Sequence, residues 1–328
     1  MSEVELRTRL QEALGSAYTL ERELPRGGMS RVFAATENAF GRKVVIKVLS
    51  PELAATISAE RFKREITLAA RLQHPHIVPL LSAGEAGGSL YYTMPLVDGE
   101  LLRERMSRDR QLPIEDVARI LEEVCAALAF AHEQGVVHRD IKPENIMFFH
   151  EQAVVMDFGI ARALTASELL DPGAIRITKA GVSLGTPAYV APEQAAADAN
   201  LDHRADLYAL GVVAYEMLTG HPPFTGRNPQ AVFAAHASQA PTPVDQLRPD
   251  IPASLARIVM KCLAKRPEDR PNSAREIGRV VSAMSQSRPS EARGIRWSRV
   301  PAWVPWAVAA TMTLIAGVAI VVAMRCRC

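Results

Sequence analysis

Residues 138–145 read His138-Arg139-Asp140-Ile141-Lys142-Pro143-Glu144-Asn145, and twelve residues beyond Asn145 stands Asp157-Phe158-Gly159, behind the apolar run Val154-Val155-Met156. Asn145 and Asp157 offer hard oxygen donors with Asp140 close by in the chain, a set that suits Mg2+ carrying phosphate oxygens. Singly, each is equally well read as a helix cap or a turn residue. In this order and at this spacing they read together as chemistry.

Toward the N-terminus, residues 18–49 alternate in the manner of strands, interrupted by Leu24-Pro25-Arg26-Gly27-Gly28-Met29-Ser30-Arg31-Val32. Glycines between two strands let backbone N–H groups approach phosphates, although Gly-Gly in a hairpin is first of all a turn. Fifteen residues after Val32, Lys47 sits in the apolar strand Val44-Val45-Ile46-Lys47-Val48, where a lysine is costly without a partner charge. Residues 59–72 place Phe62, Ile66, Ala69 and Ala70 on one helical face. Glu65 on that helix is the candidate partner; the plainer reading is a solvated carboxylate like Glu60. Residues 1–17 resemble a short polar helix, and 91–97 another strand. Beyond Asp98-Gly99, residues 114–133, 202–219, 252–264 and 273–285 show helical periodicity. The expectation is an α+β fold with a β-rich small lobe, a helical large lobe and a ligand-binding cleft between them.

The chain has 328 residues and a formal net charge of +2, unevenly spread. Residues 285–301 hold Arg288, Arg293, Arg296 and Arg299 against Glu291, and residues 325–328 add Arg325 and Arg327. The whole chain's +2, less these blocks of +3 and +2, leaves residues 1–284 at −3. That is the wrong sign for a nucleic-acid binder. Four cysteines make no disulfide framework in a chain this long, and Cys125 reads as a small buried apolar side chain. The N-terminus lacks the apolar run of a signal peptide, so the main domain is expected in the cytosol.

Residues 302–324 run for 23 positions without a charge. As a helix they span roughly 34 Å, enough for a hydrocarbon core of about 30 Å. Trp297, Trp303 and Trp306 gather at one end, and arginines are more numerous on the N-terminal side, which favours that side as cytoplasmic. The expected organisation is a leader helix at 1–17, a domain at 18–284, a basic linker at 285–301, a transmembrane helix at 302–324 and a short extracytoplasmic tail at 325–328. A single-pass cell-membrane protein with its main domain in the cytoplasm follows.

Over about residues 18–284 the sequence resembles a eukaryotic-type (Hanks-type) bacterial Ser/Thr protein kinase of the membrane-anchored branch. Gly185-Thr186-Pro187, Ala191-Pro192-Glu193, the Asp206–Gly211 stretch and Arg270 add to the match, and Lys142 stands two residues after Asp140, as in serine/threonine kinases. The resemblance implies the two-lobed kinase fold, with lobes at 18–97 and 98–284. It also implies use of ATP with Mg2+, or Mn2+ in its place, to phosphorylate protein substrates. By matching position, Asp140 accepts the substrate proton and Lys142 neutralises the γ-phosphate. Asn145 and Asp157 hold the metal, while Lys47, fixed by Glu65, contacts the α- and β-phosphates. Gly27 and Gly28 lie over the phosphates. Leu24, Val32, Val45 and Met147 enclose adenine, Met94 is the gatekeeper, and the Val97 backbone meets the base. Glu193 and Arg270 form a buried structural pair.

Arg139 beside Asp140 implies control by phosphorylation between Asp157 and Glu193, with Thr178 the first candidate and Ser183 another. A homodimer that phosphorylates itself in trans is compatible with this. Three departures stand out: Pro25 replaces the first loop glycine, Val45 an alanine above adenine, and Ala180 a second activation-segment threonine. The alternative is a nucleotide-binding pseudokinase scaffold, for which only Pro25 argues.

Overall fold

The computed structural model describes residues 3–24, 30–50, 59–158, 187–198 and 200–287. The apolar stretch 302–324, the loop residues Gly27 and Gly28, and the candidate phosphosites Thr178 and Ser183 lie outside the described residues. Among the described residues no helix is long and apolar enough to cross a membrane.

The small lobe is one antiparallel sheet of β1 (Tyr18–Leu24), β2 (Ser30–Glu37), β3 (Arg42–Leu49), β4 (Ser82–Ala86) and β5 (Ser89–Pro95), in the order β1-β2-β3-β5-β4. Period-two alternation divides β3 between two clusters. Val44, Ile46 and Val48 join Phe33 and Ala35 on the outer face. Val45 and Leu49 join Val32 on the inner face, with Phe62 and Ile66 of helix α2 (Ala59–Ala69), Tyr92 and Met94. Alternation therefore sends Lys47 inward.

Helix α1 (Glu3–Leu14) belongs to this lobe. Leu10 and Leu14 are buried in the outer cluster. The Gln11 side-chain amide accepts from Leu20 N at 2.8 Å and donates to Tyr18 O at 2.9 Å, pairing with the outer edge of β1 as a neighbouring strand does. Arg7 donates to Glu21 O at 2.8 Å, beside the irregularity in β1 between Leu20 and Arg22. Arg9 reaches Gly87 O at 3.1 Å, in the β4–β5 turn.

The large lobe begins with β6 (Glu100–Leu101), which forms a small sheet with β7 (Ile146–Phe149) and β8 (Gln152–Val155). A Cβ on Gly99 would lie 1.9 Å from Phe148 O, so the link between lobes crosses β7 at a distance only glycine allows. Helices α3 (Leu102–Asp109), α4 (Ile114–Glu133), α5 (Pro192–Ala195), α6 (Arg204–Thr219), α7 (Pro229–Ser238), α8 (Val244–Leu247), α9 (Ala253–Cys262) and α10 (Ala274–Ser287) make up the rest of the described lobe. Every residue of α6 from Ala205 to Thr219 is buried, which makes it the axis of the core. A Cβ on Gly211 would fall 2.6 Å from Cys262 Cβ, so α6 and α9 pack in near contact there. Cys125 is buried in the same cluster.

Two polar groups are locked into this lobe. Arg270, fully buried, donates to both carboxylate oxygens of Glu193 at 2.6 and 2.8 Å and to the carbonyls of Ala264, Arg204 and Lys265. His236 of α7, equally buried, shares a 2.8 Å hydrogen bond with the Tyr208 hydroxyl. Burial, aided by the positive charge of Lys265, pushes His236 down to about 4.

Two outcomes are expected. Leu10→Ala lowers the free energy of unfolding by about 2–4 kcal/mol in urea titration, while Glu12→Ala on the exposed face leaves it within about 0.5 kcal/mol. His236 stays neutral in the folded protein down to about pH 4, whereas in the unfolded chain it takes up a proton near 6.5. Its neutrality therefore costs stability as pH falls from about 6.5 to 4, by about 3 kcal/mol in total. Unfolding measured across that window shows a slope that His236→Gln removes.

Candidate active site

The site is assembled from the inner face of the sheet, the loop after α4 and the end of β8. Helix α4 ends at Glu133, and Gly135 turns the chain with φ of +72°. The loop is tied to α6 by the fully buried Asp206 carboxylate, which accepts from the backbone N–H of His138 at 2.8 Å and of Arg139 at 2.7 Å, and from His132 Nε2 at 2.7 Å. Burial alone would raise the Asp206 carboxyl; its hydrogen bond with His132, together with that from the Arg139 N–H, holds it below the usual carboxylate value. His138, also buried, donates from Nε2 to Met156 O at 2.8 Å and accepts from Asp140 N at 3.2 Å. Phe158 packs edge-on against its ring, centroids 4.6 Å apart.

This frame aims three side chains at one place. Asp140 Oδ2 is 2.8 Å from Lys142 Nζ and accepts from Asn145 Nδ2 at 2.9 Å. Asn145 Nδ2 also donates to Asp140 O at 2.7 Å, and the Asn145 carbonyl accepts from Met156 N at 2.9 Å. Arg139 and Asp157 hold φ of +68° and +64°, left-handed backbone that is costly for residues with a Cβ and is found where a side chain must be aimed. Across the cleft, Lys47 Nζ lies 2.7 Å from Asp157 Oδ2, both side chains largely shielded from solvent. Glu65 is buried at 7% exposure, unlike its exposed neighbour Glu60, so it is not a solvated surface carboxylate.

The apolar candidates converge as well. Val32, Val45 and Met94 are buried in the inner cluster, and Leu24, Val97 and Met147 pack against it from strands and linkers of both lobes. They form an apolar patch beside the charged groups. The donor set fits a divalent cation held jointly with phosphates: an amide oxygen from Asn145 and a carboxylate from Asp157, both hard oxygen ligands.

Two features escaped the sequence reading. The Tyr92 hydroxyl donates to Asp157 Oδ1 at 3.0 Å. Its signal was a phenol set on the Lys47 and Met94 side of alternating strands. The other is a cluster around Arg103 of α3, which pairs with Glu144 Oε1 and Glu216 Oε1, each at 2.8 Å, and meets the Tyr189 hydroxyl, itself bonded to Glu216. These four residues are scattered over 114 positions, so no local pattern announces them. Burial and the neighbouring Glu216 carboxylate push the Tyr189 phenol far up, keeping it neutral.

Residues 18–280 match the family model described as protein kinase domain. Over 285 residues the chain is 40% identical to the serine/threonine-protein kinase PknB of Mycobacterium leprae, covering 85% of this chain and 44% of that one. PknB of Mycolicibacterium smegmatis is 41% identical over 270 residues, 80% of this chain and 42% of the relative. The serine/threonine-protein kinase pkn2 of Myxococcus xanthus is 37% identical over 300 residues, 89% and 35%. The chain thus spans less than half the length of these relatives. With a β-rich small lobe, a helical large lobe and a family match over most of its length, the chain belongs to the protein kinase family, and the relatives it resembles are bacterial serine/threonine-protein kinases.

Proposed function

We propose that this chain transfers the γ-phosphoryl group of ATP to serine and threonine hydroxyls of proteins. The observation that carries the reading is the convergence of Asp140, Lys142 and Asn145 with the Lys47–Asp157 pair at the cleft. Asp140 orients the substrate hydroxyl and takes its proton as the oxygen bonds to the γ-phosphorus and the bond to the β-phosphate oxygen breaks, releasing ADP. Lys142 balances the charge on the transferring group. Asn145 and Asp157 would hold Mg2+, which would supply charge screening to the phosphate oxygens. Lys47 meets the α- and β-phosphates, and Glu65, buried on α2, fixes it in this reading. Leu24, Val32, Val45 and Met147 enclose adenine, Met94 borders the pocket at its rear, and the Val97 N–H meets the base. Gly27 and Gly28 cover the phosphates. A catalytic role is favoured over a scaffold because Lys47, Asp140, Asn145 and Asp157 are all present.

Regulation in this reading runs through Thr178, with Ser183 as a second acceptor and Arg139 as the partner of the phosphate. Trans-phosphorylation between two copies accounts for its addition. The apolar stretch 302–324 spans the cell membrane once, with residues 18–284 on the cytoplasmic side, the basic segment 285–301 as tether and residues 325–328 outside.

Two experiments test this. The whole chain in detergent micelles is incubated with ATP and Mg2+ and mapped by mass spectrometry beside Asp140→Asn. Phosphate on Thr178 in the wild type, with turnover down by about 10²–10⁴ in the variant, is the expected result. ATP binding without phosphate on the chain itself or on a generic basic protein overturns catalysis in favour of the scaffold. In cells, the chain is expected in the membrane fraction after carbonate extraction, and the form lacking 302–328 in the soluble fraction. Full extraction of the intact chain overturns the span.

A further inference from the structure

Tyr92 stands in the middle of β5 with no exposure to solvent, and its hydroxyl reaches Asp157 across the lobe boundary. In the β3–β5 ladder it is the direct cross-strand partner of Lys47, whose ammonium lies 5.8 Å from the centre of the Tyr92 ring. Two neighbouring small-lobe side chains therefore hold the two carboxylate oxygens of Asp157: Lys47 holds Oδ2 and Tyr92 holds Oδ1.

The two grips differ in kind. Lys47 is a charged group on a long flexible stem, and in the function proposed above it also serves the nucleotide's phosphates, which draws its charge away from Oδ2. The Tyr92 ring has two torsions, is packed on all sides and carries a neutral donor with no part in phosphate binding. Asp157 meanwhile sits at a backbone φ of +64°, so a contact must keep its side chain aimed once the lysine turns elsewhere.

We propose that Tyr92 is a positioning residue: its hydroxyl keeps Asp157 anchored by Oδ1, so that Oδ2 is presented to the divalent cation that accompanies the nucleotide. The inference rests on the kinase reading of the site. It assigns a role to a position that would otherwise be a satisfied polar group in the core.

The test separates metal from nucleotide. Binding of ADP to the whole chain is measured by calorimetry in EDTA and across a MgCl2 titration, for wild type and Tyr92→Phe, which keeps the ring and loses only the donor. The expected result is affinity in EDTA within about twofold of wild type, and a Mg2+ midpoint raised about tenfold, the factor set by one hydrogen bond to a charged group. In turnover assays kcat falls at limiting Mg2+ and recovers at high Mg2+. An unchanged midpoint overturns the inference, as does an equal loss of affinity in EDTA and in Mg2+, which is the mark of a purely structural effect on the pocket. If Tyr92→Phe fails to fold, 3-fluorotyrosine at position 92 supplies the measurement: the stronger donor lowers the midpoint if the inference holds and leaves it unmoved if it does not. Absence of any Mg2+-dependent nucleotide binding by the wild type overturns the kinase reading itself, and this inference with it.

Discussion

The buried carboxylate of Asp206 is the constraint on which the arrangement of the site depends. A charge in the core is tolerated only when its hydrogen-bonding capacity is filled, and here two consecutive loop N–H groups and an imidazole fill it. The loop that carries Asp140 therefore takes its position from the deepest helix of the large lobe. Through His138 and the Met156 carbonyl the same anchoring passes to Asp157, and through the Met156 N–H to Asn145. Three chemically active side chains on two separate stretches share one foundation.

The small lobe is stitched to that foundation at two levels. The segment that follows α2 runs beside β8: Val78 N donates to Val155 O and Val155 N to His76 O, each at 2.9 Å, and the His76 ring bonds Ala153 O. Val154 and Met156 then form the floor of the inner cluster under Val45 and Met94. Helix α2, with Glu65 buried on it, is thus tied through a short link to the strand that delivers Asp157. A shift of α2 therefore bears on the placement of Asp157.

How much of this was legible in the sequence depends on whether the information is local. The helix at 114–133 and the β3 strand carry a pattern strong enough to read directly, the stretch read as helical at 202–219 is helix from Arg204 to Thr219, and the fixed spacing from Asp140 to Asp157 pointed to the candidate site. Strands β4, β6, β7 and β8 did not stand out, because five residues or fewer give alternation too little room to register. Helix α7 announces itself only by its Asn228 cap and Pro229, since its residues are apolar on most sides. Glu65 is buried rather than solvated, and that burial depends on the packing of α2 rather than on any nearby residue. The roles of Tyr92 and Arg103 arise wholly from tertiary contacts, and a strand tyrosine or a helix arginine looks ordinary until its partner is known.

Helix α1 crosses the outer face of the small-lobe sheet and holds it at both sides, at β1 through Gln11 and Arg7 and at the β4–β5 turn through Arg9. The peptide groups of Tyr18 and Leu20 that Gln11 engages are those an incoming strand from another chain would need. A side-chain amide thus serves as a terminator for sheet growth, blunting the exposed edge without spending a further strand on it. Backbone addition of a further strand at β1 is opposed by a contact within the chain itself.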